Sequence, residues 1–118
     1  MPDSRIPFLL FSLDKLNQKA AKLLNSQLDG NGNAQKKTEL LQVTLDQAKE
    51  VAEDLTIEFG REKQNNNKEV VDLYRLQVVD HSSTCYTQLS LFNLRQRKLS
   101  LSLKFLKLAE QHQRQGLP

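Results

Sequence analysis

The sequence predicts an all-α protein, an antiparallel three-helix bundle with a long C-terminal helix. Two observations carry this. The 118 residues hold only three prolines, Pro2, Pro7 and Pro118, so nothing from Phe8 to Leu117 forbids helix. Apolar residues recur at spacings of three and four along almost the whole chain, the signature of one helical face. The length suits one domain, residues 1–118, with a modest core.

The first helix is expected at about 7–28. Pro7 suits a first turn, where its missing N–H costs nothing. Leu9, Leu13, Leu16, Ala20 and Leu23 form the stripe, widened by Leu10, Leu24 and Leu28. Asp29-Gly30-Asn31-Gly32-Asn33 is the clearest turn, because Gly and Asn accept the positive φ that ends a helix. The second helix follows at about 34–63. Its stripe is Leu41, Leu45, Ala48, Ala52, Leu55 and Phe59, broadened by Val51, with Asp46, Glu50, Glu53 and Asp54 largely on the other face. Gly60 weakens its end, and Gln64-Asn65-Asn66-Asn67 reads as a polar hinge.

The third region is expected at 67–112. Val71, Tyr74, Val78, Ser82, Cys85, Leu89, Phe92, Gln96, Leu99, Leu103 and Leu106 can be laid on one stripe, and no Gly or Pro interrupts them. One helix of about 45 residues would be about 67 Å long. The alternative is an up-down-up-down four-helix bundle broken near Asp80–Thr84, whose polar side chains can cap a new helix. Leu99, Leu101, Leu103 and Phe105 also alternate with polar residues, as a strand would. The missing β-branched residues and turn signals favour helix.

From Leu89 onward this helix carries two apolar stripes. One is Leu89, Phe92, Leu99, Leu103 and Leu106. The other is Leu91, Leu94, Leu101, Phe105 and Leu108. At about 100° per residue they point roughly 195° apart. A surface helix needs one apolar face, so a helix with two is sandwiched, either by its own chain or by another. The first stripe is expected to meet helices one and two. The second is expected to dock a partner helix or a second copy of the chain. Leu91, Leu94, Leu101, Phe105 and Leu108 would form that interface, with Lys98 and Lys104 at its rim.

Charge is divided unevenly. Residues 1–90 hold 11 Lys and Arg against 13 Asp and Glu; residues 91–118 hold six against one. Arg95, Arg97, Lys98, Lys104 and Lys107 therefore make a second candidate set, for nucleic-acid contacts. They fall in the two seams between the apolar stripes and do not gather on one exposed face. That suits the flanks of a helix interface, as e and g positions flank a coiled coil, better than a groove-reading or membrane-surface helix. The acidic second helix is the expected source of their ion pairs.

Chemistry-bearing patterns are sparse. His81 and His112 have no Cys or carboxylate at a metal-ligand spacing. His81 lies four residues before Cys85, close enough to meet a thiol, but a Cys between Val78 and Leu89 reads as core. Glu50, Glu53, Asp54 and Glu58 read as a solvated face, and no phosphate-binding loop is present. The reading is a non-catalytic protein–protein interaction module, an adaptor or small complex subunit, with no cofactor, no metal and no small-molecule substrate. A nucleic-acid-binding helical domain is the alternative. One cysteine, no membrane-length apolar run and no signal-peptide pattern suggest an intracellular location, cytoplasmic or nuclear.

Overall fold

The computed structural model describes residues 4–27 and 34–115, which form four α-helices and no strand. Helix α1 is Ile6–Ser26, α2 is Ala34–Gln64, α3 is Lys68–Arg95 and α4 is Leu99–Gln115. The turn expected at Asp29–Asn33, and Leu28 before it, lie outside the described residues.

Pro7 sits in the first turn of α1, and the Ser4 hydroxyl accepts the Ile6 amide at 3.2 Å. That supplies a partner for one amide the helix start leaves open. The core stripe of α2 is buried as the spacing predicts, Leu41, Leu45, Ala48, Ala52, Leu55 and Phe59, with Thr44 beside them. Thr44 can be buried because its hydroxyl donates to the Leu40 carbonyl at 2.8 Å. In α1, Leu9, Leu13 and Ala20 are buried and Leu16 and Leu23 pack against the same cluster.

Polar contacts fix the helix directions. Arg5 near the start of α1 lies 3.7 Å from Glu58 late in α2, and Gln27 donates to Thr38 at 3.1 Å at the other end, so the two run antiparallel. Asn17 Nδ2 donates to the His81 carbonyl at 3.0 Å, Gln88 Nε2 to the Asn17 carbonyl at 3.2 Å, and Arg95 to the Leu24 carbonyl at 2.9 Å. Ascending residues of α1 thus meet ascending residues of α3, and this pair is parallel. Helices α1, α2 and α3 pack on one another, whereas α4 packs on α3 alone, with no Cα within 8 Å of α1 or α2.

The third region differs from its expected form. It is two helices, and the break lies at Gln96–Lys98. Asp80–Thr84 runs through the interior of α3, with Ser82 and Ser83 buried. Their small side chains fit closely packed positions, whereas the long side chains of Gln96, Arg97 and Lys98 are exposed and suit an outer turn. The turn is closed by backbone. The Arg97 amide donates to the Leu94 carbonyl at 2.9 Å and the Lys98 amide to Asn93 at 2.8 Å. This is the paired closure of a left-handed helix terminus, with Arg97 at φ 61° where glycine is usual. The α2–α3 turn repeats it with Asn66 at φ 56°, its amide on Lys63 at 3.2 Å and that of Asn67 on Glu62 at 3.0 Å.

Two glycine exchanges of opposite sense follow. Gly60 lies inside α2, and a Cβ there would meet nothing within 4 Å. Gly60→Ala is expected to stabilise the fold by about 0.5–1 kcal/mol. Arg97→Gly, which relieves a left-handed residue, should stabilise by about 1 kcal/mol. Urea unfolding curves of both variants check this; a loss of stability in either refutes the corresponding account.

Candidate protein interface on the hairpin of α3 and α4

Helix α4 seats on α3 through Ser102, Phe105, Ala109 and His112, a line at spacings of three, four and three. The facing residues of α3 include Tyr86 and Ser90, both buried. Near the turn the approach is close. The Ser90 hydroxyl donates to the Ser102 carbonyl and the Ser102 hydroxyl to the Ser90 carbonyl, each at 2.9 Å. Further along, Tyr86 stacks on Phe105 with ring centroids at 6.3 Å and on His112 at 5.4 Å. At the far end Arg75 donates to the Gln115 carbonyl at 3.3 Å. The pair is therefore antiparallel, joined by an aromatic stack and a hydroxyl pair.

This seating redistributes the two stripes. Before the turn they behave as expected, with Leu89 and Phe92 buried and Leu91 and Leu94 exposed. After the turn the chain runs backwards, and the face laid on α3 falls between the stripes. Phe105 is only 6 % exposed and is taken up by the α3 contact, and Leu108 is half-buried against the core. Leu91, Leu94, Leu101, Lys98 and Lys104 remain exposed. Leu99, Leu103 and Leu106, expected to cover helices one and two, are 62 %, 57 % and 46 % exposed. They form a line on the outside of α4. The reason is geometric: a stripe continuous through a straight helix cannot stay on one side of a hairpin. The small-and-large line Ser102, Phe105, Ala109, His112 was the available signal for the true seating face.

A surface recess of about 490 Å³ runs along α4, lined by Ser100, Leu103, Lys104, Lys107, Leu108 and Gln111. Lys104 and Lys107 beside it have no ion-pair partner among the described residues; the ion pairs there include those of Arg5 and Arg61 with Glu58. The expected pairing with the acids of α2 is not made within the chain, because α4 never reaches α2. Arg95 leaves the nucleic-acid set for a different reason. Its guanidinium donates to the Leu24 carbonyl and, at 3.1 Å, to Gln27 Oε1, closing the C-terminal end of α1. Arg97, Lys98, Lys104 and Lys107 stay exposed.

Cys85 is fully buried, and burial, reinforced by Glu53, pushes its thiol up to about 12. At neutral pH it carries no thiolate. The His81 Nδ1 lies 3.8 Å from Asp80. Burial likewise pushes Tyr86 up to about 12, with Cys85 and Glu53 adding to it. No group of three His, Cys, Asp or Glu that could hold a metal occurs among the described residues, and no described helix is long and apolar enough to cross a membrane.

Burial holds the His112 imidazole below its ordinary 6.5, so it is kept neutral against Tyr86. The unfolded chain binds that proton more readily than the folded one. Stability is then complete above 6.5 and falls as pH drops through that value. Wild type is expected to lose stability there and His112→Phe, which keeps the stack, to lose less; equal pH profiles for the two would refute this. Cys85 is expected to resist a thiol reagent in the native state and to react at once in denaturant. Fast native labelling would refute its burial.

No family model, curated protein or solved structure matches this chain.

Proposed function

We propose that the chain is a three-helix bundle, α1 to α3, bearing α4 as an outer arm, and that it works as a non-catalytic protein–protein interaction module. It would serve as an adaptor or small subunit of a larger assembly. The observation that supports this is the exposed line of Leu99, Leu103 and Leu106 on a helix that, among the described helices, packs on α3 alone. Leu91, Leu94 and Leu101 add apolar surface to the same hairpin, with Lys98 and Lys104 beside it. Each buried leucine is worth roughly 1.5–3 kcal/mol relative to exposure, so an aligned set left in water is a reservoir for association.

The nucleic-acid reading is weaker here. Its remaining cations, Arg97, Lys98, Lys104 and Lys107, are divided between the turn and the helix and are interleaved with leucines. Phosphate recognition has no use for those leucines, whereas a helix interface does.

A photo-crosslinking residue in place of Leu103, in the cell, tests the proposal. A discrete protein adduct is expected, lost when Leu99 and Leu106 are changed to serine. Two results would sink it: no protein adduct, or co-purified nucleic acid released steeply between about 50 and 200 mM salt.

A further inference from the structure

Helix α2 carries a second stripe on its solvent side. Leu40, Val43, Gln47, Glu50, Asp54 and Ile57 recur at spacings of three and four, and all six are exposed. Its apolar members are 44 %, 52 % and 55 % exposed. Along one flank of this stripe stand Glu39, Asp46 and Glu53, seven residues apart and all exposed. Glu39 and Asp46 accept only amide hydrogen bonds, from Gln35 and Gln42 of the same helix. The outer stripe of α4 has the matching form. Leu99, Leu103, Leu106 and Glu110 make its line, and Lys107 and Arg114, also seven apart, make its flank.

Two exposed helical stripes of period 3.5, one flanked by acids and the other by cations at heptad spacing, are the two halves of a helix-to-helix interface. Within one chain they cannot meet, since α4 lies on α3 away from α2. Between two copies they can. We infer that the occupant of the α4 face is the outer face of α2 of a second copy, lying parallel to it. This rests on the interaction-module reading and names its partner. With Leu103 opposite Leu40 and Leu106 opposite Val43, Glu110 falls opposite Gln47, so no like charges meet in the seam. In the same register Lys107 reaches the partner's Glu39 and Arg114 the partner's Asp46, the diagonal contact that flanking charges make in parallel helices.

An acidic lipid surface fits the same face less well. Glu110 continues the leucine line, where a membrane-lying helix needs apolar residues, and the cations Lys107 and Arg114 occupy one flank only.

The test is a charge exchange on the full chain, read as molar mass by light scattering across a concentration series. Wild type is expected to associate. Lys107→Glu/Arg114→Glu and Glu39→Lys/Asp46→Lys should each weaken association by about tenfold or more. An equimolar mixture of the two should recover it, because each altered face then meets its complement. All four positions are exposed, so circular dichroism should show both variants folded; if one is not, the pair Lys107→Gln/Arg114→Gln and Glu39→Gln/Asp46→Gln replaces it, and weakened association in both is required. A wild type that stays monomeric overturns the inference, as does a dimer indifferent to these changes or a mixture that fails to recover. Binding of the monomer to vesicles rich in acidic phospholipid, without self-association, overturns it in favour of lipid. A monomer whose Leu103 still crosslinks to a different protein would end the self-pairing alone, while loss of that crosslink is what ends the interaction-module reading.

Discussion

The surface of this protein depends on one backbone reversal. The carbonyls of Asn93 and Leu94 accept the amides of Lys98 and Arg97, and that closure turns the chain back along α3. Were the helix to continue straight, Leu89, Phe92, Leu99, Leu103 and Leu106 would share one face. Because it turns, the first two stay in the core and the last three face solvent. The reversal also decides the charges, since it directs the cations of α4 away from the acids of α2. A left-handed arginine raises the cost of the turn. It is offset by what the turn brings together: two serine hydroxyls on each other's carbonyls, and Tyr86 between Phe105 and His112.

How much of this could be read from the sequence varies with the helix, for physical reasons. In α2 the 3/4 stripe gives every buried residue except Thr44, because the helix meets its neighbours along one side. In α1 the same holds, apart from Ile6 and Asn17, whose burial comes from tertiary contacts. Asn17 is buried because the Gln88 amide and the His81 carbonyl reach it across the α1–α3 seam, which no local pattern encodes. Helix α3 is harder. It meets α1 and α2 on one side and α4 on another, so its buried residues spread over a wide arc and its apolar periodicity blurs. Ser82, Ser83, Ser90 and Asn93 are buried there, positions a hydrophobic pattern does not mark.

The break at Gln96–Lys98 was hidden for a different reason. Helix ends are recognised by Gly, Pro or Asn, and this one has none of them. Its φ-positive residue is an arginine, tolerated because the backbone closure and the α3–α4 packing determine its conformation together. The α2–α3 turn uses the same closure with Asn66, and there the asparagine run announced it. The candidate interface shifted with the break. Leu91, Leu94 and Leu101 were identifiable from their stripe, whereas Leu99, Leu103 and Leu106 became outward residues only once the chain reversed.

Helix α4 is the element whose attachment and exposure are most nearly in competition. Toward α3 it buries one phenylalanine, one alanine, a serine and a histidine, with Leu108 half-buried beside them. Toward solvent it offers three leucines in line. A helix designed only to complete a core would place those leucines inward, where burial would stabilise the fold directly. The inward positions hold small and aromatic residues instead, which set distance and orientation: serine and alanine allow a close approach, and the stacked rings fix the rotation of α4 about its own axis. Rotation is what an interface requires of the helix that carries it. If α4 were free to roll, Leu99, Leu103 and Leu106 would turn toward α3 to escape water. The polar Ser90–Ser102 contact and the Tyr86 stack oppose that roll, because rolling would take the two buried hydroxyls away from their partners. The weak-looking attachment of α4 is therefore a specific one, and its specificity is what keeps a leucine face pointing outward.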